Sequence, residues 1–305
     1  MTRPIPLLVH VGFHKTGTTW LQTGLFADGA AGFVRPWRTQ AIRDALVLGE
    51  PFDFNADRVR ERFAPGLAEA AGQELVPVLS DERLSGSPHA GGHDAALVAE
   101  RLAAVFPEAR VLLVFREQVD AIHSIYRQYV RDGGVASLAA YLHPRRPAEI
   151  PQFRFGHFEY YRPIRRYREL LAAERVLALP FEQLVGDPRA FVDRILAFSG
   201  LPTGVPYRSG ARYPALGAAT LALKRWANRW LVRTALSPAA PFYVKDHERR
   251  FERIDRYVPR RLSERLDRSG RRTIAEAVGG RYAESNRQTA ELTGFDLAAL
   301  GYRMA

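Results

Sequence analysis

The stretch Val9-His10-Val11-Gly12-Phe13-His14-Lys15-Thr16-Gly17-Thr18-Thr19-Trp20 passes from an apolar run, through a glycine-bounded loop, into residues that suit a helix start. The run itself, Leu7 to Phe13, is largely apolar and does not alternate, the pattern of a strand buried on both faces in a parallel sheet. A strand, a glycine loop and a helix in that order bind phosphate. Glycine lets the backbone approach the anion, successive amides point into the loop, and the helix start adds partial positive charge. Thr18 and Thr19 supply hydroxyl donors.

Three similar runs lie further along: Leu75 to Ser80, Ala109 to Phe115 and Arg175 to Phe181. Between them come segments with helical spacing, such as Leu97, Val98, Arg101, Leu102, Val105 and Phe106. Strands alternating with helices predict an α/β protein with a central parallel sheet, right-handed crossovers, and ligands at the carboxyl ends of the strands. Asp187 predicts a helix cap, Pro188 the first helical position, Phe191, Val192, Ile195 and Leu196 its inner face, and Gly200 its end. From about Pro202 to Gly270 strand signals stop and Arg/Trp-rich helical stretches such as Leu221 to Leu236 take over. We expect one domain over residues 1–305, with 202–270 as a helical lid on the acceptor side.

Composition fits a globular protein: 47% hydrophobic and 25% charged residues over 305 positions, with no low-complexity segment. The run from Pro6 to Phe13 is too short to span a bilayer and lacks a cleavage site after it, so no transmembrane segment is expected and the cytoplasm is the default location. The absence of cysteine excludes disulfides and thiolate metal sites. A net charge of +11 favours an anionic partner: a phosphorylated cofactor, an acidic acceptor, nucleic acid or a membrane surface. Lys15, Lys224 and Lys245 are the only lysines, against 41 arginines, which reads as coding bias and makes each lysine conspicuous.

Gly12 and Gly17 have the spacing of the Walker A glycines, but Thr18 follows Gly17 and the lysine sits inside the loop at Lys15. That displacement sends the lysine to a different bond of the nucleotide. The order Lys15, Thr16, Gly17, Thr18, Thr19, Trp20 resembles the 5'-phosphosulfate signature of the sulfotransferases that use 3'-phosphoadenosine 5'-phosphosulfate (PAPS). The resemblance implies a P-loop-like three-layer fold, transfer of a sulfuryl group to an acceptor hydroxyl or amine, and PAP (3'-phosphoadenosine 5'-phosphate) as the product nucleotide. It also implies Lys15 at the bridging oxygen of the leaving phosphate and Trp20 against the adenine. His14 stands where many relatives have proline.

Arg116 ends a strand run and Ser124 follows eight residues later, resembling the family's 3'-phosphate clasp. Arginine suits that role because its fork donates two hydrogen bonds to phosphate oxygens. Val119, Ile122, Tyr126 and Val130 form the apolar stripe of the helix, and Ser124 lies off it. The segment Leu179 to Pro188 resembles the one after the last main strand, with Phe181 where some members carry a tyrosine near the adenine. Arg281 to Leu297 resembles the tail of many bacterial members, without an assigned role. Arg268 to Arg271 faintly resembles another cofactor loop, but is read as an Arg-rich, solvated helix end.

The strand after Leu75 leads into Ser80-Asp81-Glu82-Arg83 at the expected edge. In the carbohydrate and tyrosyl-protein branches the base is a glutamate near such a strand end, and in the cytosolic small-molecule branch a histidine. Glu82 is the chosen base, with Asp81 and His14 as rivals; His89, His93 and His123 are read as surface or structural residues. No metal-ligand spacing is present, and the resemblance implies a transfer that needs no metal. The acceptor stays open among small molecules, carbohydrates, lipids and natural products, with no nucleic-acid partner expected; oligomeric state is not legible. Two other readings compete. One is a P-loop kinase or NTPase with Thr18 or Thr19 on magnesium and Asp81 at a strand end. The other is a basic membrane- or nucleic-acid-binding protein using Lys224, Arg225, Trp226, Arg229, Trp230 and Arg233.

Overall fold

Successive residues of a strand face opposite sides of a sheet, and here both sides are covered. Val9 and Val11 point into one apolar cluster with Val111, Leu113 and Phe115, while Leu8 points into a second with Val78, Leu112 and Val114. The computed structural model describes residues 6–144, 151–211, 216–234, 236–242, 244 and 246–305. Ala235, within the Leu221 to Leu236 stretch, and Lys245 lie outside the described residues.

In chain order the elements are β1 (Leu8–Gly12), α1 (Thr18–Thr23), β2 (Phe33–Val34), α2 (Thr39–Leu46), α3 (Ala56–Gly72) and β3 (Val76–Ser80). There follow α4 (Ala95–Val105), β4 (Arg110–Phe115), α5 (Gln118–Arg131), α6 (Leu138–Leu142), α7 (Tyr161–Leu171), β5 (Val176–Pro180), α8 (Phe181–Gly186) and α9 (Pro188–Ser199). The chain continues with α10 (Ala218–Leu231), α11 (His247–Asp255), α12 (Arg260–Val278) and α13 (Ala283–Thr293). All strand pairs are parallel, in the order β2-β3-β1-β4-β5. The result is a three-layer α/β fold. The four apolar runs read from the sequence are β1, β3, β4 and β5.

The register matters for function. Gly12 pairs with Val114, Phe115 with Pro180 and His10 with Ser80, so the carboxyl ends of four strands share one edge. The chain moves to one side of β1 for β2 and β3, then returns to the other side for β4 and β5. The loop after β1 thus stands at the switch point, where open α/β sheets bind ligands.

Helix α9 matches its sequence signals: Asp187 accepts from the Ala190 N–H at 2.9 Å, and Gly200 ends it in the left-handed region at φ 77°. Other expectations need correction. Of the positions with helical spacing on α4, Leu97 is 41% exposed while Val98, Arg101, Leu102 and Val105 are buried. On α5 the stripe Val119, Ile122, Tyr126 and Val130 does pack on the apolar clusters, with Val119 and Tyr126 half-buried, but Ala121 and Ile125 are buried as well. Helix α10 stops at Leu231, short of Leu236. Arg268 to Arg271 lie within α12, not at a helix end.

Leu113 is fully buried in the middle of β4, so Leu113→Ala should lower unfolding free energy by about 2–5 kcal/mol. Asp187→Ala removes one cap and should cost about 1 kcal/mol. Urea denaturation of both variants checks that order; equal losses would mean that the sheet does not dominate the core.

Candidate active site

The loop Phe13 to Gly17 is held by its own side chains. Thr16, fully buried, donates from Oγ1 to the Phe13 carbonyl at 2.5 Å, closing the turn. Lys15 and Gly17 both take positive φ, 68° and 81°. At Gly17 a Cβ would come within 2.9 Å of Leu184 and 3.1 Å of Phe181, so glycine is required by space as well as by conformation. Thr18 is buried, and its Oγ1 has no hydrogen-bond partner among the described residues. A buried hydroxyl without a partner is costly, and a phosphate oxygen at the loop would satisfy it. Thr19 is exposed at the first turn of α1.

Lys15 and Arg116 meet. Arg116 follows β4 directly, and its Nη1 donates to the Lys15 carbonyl at 3.2 Å across 101 positions of sequence. Its guanidinium carbon lies 5.0 Å from the centre of the Phe181 ring, a cation–π distance. The Lys15 ammonium is exposed and donates to Gln128 Oε1 at 3.3 Å, from the far end of α5. Although solvent reaches it, the walls of the cleft lower its pKa, and Glu82 opposes that shift. Ser124 is half-buried on α5 and makes no side-chain hydrogen bond among the described residues. Arg271 reaches the same place from α12 through an ion pair with Asp120, which also pairs with Arg116 at 3.4 Å.

Trp20 is placed differently from the other loop residues. It is 7% exposed, donates from Nε1 to Ser209 Oγ at 3.2 Å, and meets Tyr207 edge-on. The segment around Gly210 crosses so close to α1 that neither Gly24 nor Gly210 has room for a Cβ. Most of the indole is therefore covered by the chain itself.

On the β3 side, Glu82 and Asp81 have different surroundings. Asp81 is 1% exposed and both of its oxygens are committed: Arg43 grips it at 2.6 and 2.9 Å, and the Arg83 N–H donates at 3.0 Å. Glu82 is half-buried, and its carboxylate accepts no hydrogen bond among the described residues. Burial raises its pKa above the usual carboxylate value, Asp81 adds to the rise, and Lys15 opposes it. His14 Nε2 stands 3.9 Å from Glu82 Oε1. That is within ion-pair distance, but burial, with His157, His89, Arg83 and Arg43 nearby, drives the imidazole pKa well below 6.5. His14 is neutral at physiological pH, so the contact is not an ion pair.

The other histidines weighed in the sequence have structural partners or lie at the surface. His89 hydrogen-bonds Tyr141 at 2.8 Å, and His123 is buried 3.5 Å from Asp267. His93 is exposed. Among the described residues no group of His, Cys, Asp and Glu is arranged to hold a metal ion. An apolar cavity of about 250 Å³ is lined by Phe13, Leu113, His157 and Tyr167, among others. Lys15, Glu82 and Arg116 are not among its lining residues. Sequence reasoning missed Gln128, Arg43 and the covering segment at Tyr207 to Gly210, since no local pattern marks any of them.

A family model described as "Sulfotransferase family" matches residues 6–204, which span the whole sheet, the Lys15 loop, Glu82, Arg116, Ser124 and Phe181. No curated protein matches the chain. Among solved structures, the chain is similar to the crystal structure of a sulfotransferase from Alicyclobacillus acidocaldarius. Identity is 20%, coverage is 73% of this chain and 93% of that one, and the TM-score is 0.50, a likeness of fold. The sulfotransferase domain of the Synechococcus PCC 7002 olefin synthase is 16% identical, with 66% and 75% coverage and a TM-score of 0.41. Because the family match takes in well over half of the sequence, including every strand, the chain belongs to the sulfotransferase family.

Proposed function

We propose that the protein transfers the sulfuryl group of PAPS to an acceptor hydroxyl or amine, giving PAP and a sulfated product. The observation that carries this reading is the hydrogen bond from Arg116 to the Lys15 carbonyl, which joins the phosphosulfate loop to the 3'-phosphate clasp. One nucleotide with phosphate groups on both sides of its ribose needs both halves.

Each half has a stated task. The loop amides of Lys15 to Thr19, with the free Thr18 hydroxyl, hold the 5'-phosphosulfate. Arg116, Ser124 and the nearby Arg271 hold the 3'-phosphate, and Phe181 beside Gly17 offers a ring to the adenine. The acceptor atom attacks sulfur while the bond from sulfur to the bridging phosphate oxygen breaks. The electron pair leaves on PAP, where the Lys15 ammonium meets the developing charge. Glu82 takes the acceptor proton. It suits that role better than Asp81, whose oxygens are already bonded to Arg43 and Arg83. No step calls on a metal. The acceptor is a small molecule, carbohydrate, lipid or natural product that presents its hydroxyl to Glu82.

Isothermal titration should show PAP binding without added metal, and no comparable binding of MgATP. Arg116→Ala should weaken PAP by roughly ten- to a hundredfold, the worth of charge-assisted hydrogen bonds. Adenosine 5'-phosphosulfate, which lacks the 3'-phosphate, should lose much less. Equal losses for both ligands would remove Arg116 from the 3'-phosphate.

Lys15→Ala should lower kcat by about a hundredfold or more, because its charge is needed most in the transition state. A normal kcat with a raised KM would make Lys15 a ground-state binding residue.

Glu82→Gln should keep PAP affinity and lose about a hundred- to ten-thousandfold in turnover. The wild-type rate should fall as pH drops through the raised Glu82 pKa, since only the carboxylate accepts the proton. The residual rate of Glu82→Gln should lack that limb. Wild-type turnover in Glu82→Gln, with a histidine variant inactive but still binding PAP, would move the base to that histidine.

A further inference from the structure

Thirteen large hydrophobic residues of the described chain are exposed, and nine of them fall between Leu223 and Leu266. Exposed apolar side chains scattered singly need no explanation, but a concentration of them marks an interaction surface. The concentration begins on α10. Leu221, Lys224, Ala227 and Asn228 are buried along one side of this helix, and Asn228 donates to the Val130 and Gly134 carbonyls at 2.7 and 2.9 Å. The opposite side carries Leu223, Trp226 and Trp230, spaced three and four residues apart, with the two indoles 60% and 51% exposed. Phe242, 63% exposed, is tied beside them, because its N–H donates to the Trp230 carbonyl at 3.0 Å.

Along the chain, α10 and the segment leading to Phe242 carry charge of one sign. No Asp or Glu occurs between Asp193 and Asp246, a span that contains eight Lys and Arg residues. Residues 216–270 hold thirteen Lys and Arg against six Asp and Glu, which places +7 of the chain's net +11 here. Arg229 and Arg233 are exposed next to the tryptophans.

We infer that the outer face of α10, with Phe242, docks on an anionic lipid surface. Indole rings settle at the boundary between headgroups and acyl chains, and arginines beside them meet lipid phosphates. Two other occupants fit less well. A second copy of the chain would bring a like-charged face against this one. Single-stranded nucleic acid would use the rings and arginines but gives Leu223 and Leu231 nothing to bury against. The location also has a consequence. Helix α10 packs on α5, whose Gln128 meets Lys15, so docking would hold the cleft rim near the bilayer. This inference does not depend on which group the enzyme transfers.

The test uses the full chain with vesicles of phosphatidylcholine, alone or mixed with phosphatidylglycerol, in a sedimentation assay. Binding should require phosphatidylglycerol and weaken with salt, and Trp226→Ala with Trp230→Ala should reduce affinity about tenfold or more. PAP affinity of that double variant, expected to equal wild type, shows that it is folded. Brominated lipid should quench the wild-type fluorescence, since Trp226 and Trp230 are exposed while Trp20 is buried and Trp37 packs on Phe63. No binding to the anionic vesicles, or equal binding by the double variant, would overturn the inference. A dimer or oligonucleotide complex that the same variant abolishes, without vesicle binding, would assign the face to that partner instead.

Discussion

The closed turn between Phe13 and Gly17 is the constraint on which the site depends. A lysine in the left-handed region costs on the order of 1 kcal/mol relative to its relaxed state, and the Thr16 to Phe13 hydrogen bond is what holds that conformation. With the turn fixed, the Lys15 carbonyl faces Arg116 at the end of β4, and Gly17 lies against Phe181 and Leu184 after β5. Ser85, in the turn after β3, donates to the Gly12 carbonyl at 3.2 Å. Three strand ends are thereby tied to one loop, and the parallel register that aligns those ends is what makes the ties short.

Support for this edge also comes from beyond the family match. Asn286 on α13, fully buried, exchanges amide hydrogen bonds with Gln118 at the start of α5, and also donates to the Arg303 carbonyl. Tyr302 donates to Glu182 at 2.8 Å, and Glu182 in turn accepts from the Glu117 N–H. Tyr160 donates to the Arg116 carbonyl at 2.7 Å. These bonds fix the backbone on both sides of Arg116 from three different elements. Leaving one partner of such a buried network unpaired costs about 1–3 kcal/mol, so the tail acts on the site through backbone position, without touching its chemistry.

What could be read from the sequence was local. Apolar runs without alternation revealed β1, β3, β4 and β5, because strands buried on both faces need no polar residues. Strand β2 has two residues and offers no period to detect. The Lys15 loop was legible since its glycines, threonines and lysine are contiguous. Arg43 was not: its role is defined by Asp81, 38 positions away, and it is one of 41 arginines. Gln128 was hidden for the same reason, lying 113 positions from Lys15. Tyr207 to Gly210 escaped because the covering of Trp20 depends on close backbone approach at two glycines, which only the fold creates.

The distribution of charge in the cleft follows from which groups are paired. His14 sits among Arg43, Arg83 and other histidines, so burial and neighbouring cations act in the same direction and keep it neutral. Arg43 neutralises Asp81, which limits the repulsion Asp81 exerts on Glu82. Among the described residues no donor bonds the Glu82 carboxylate, and burial makes it more basic than in water. Lys15, which interacts with it electrostatically, has an uncharged glutamine as its hydrogen-bond partner and no ion pair among the described residues. In the proposed reaction the basic carboxylate would serve as proton acceptor for the attacking atom and the ammonium as positive charge at the leaving oxygen.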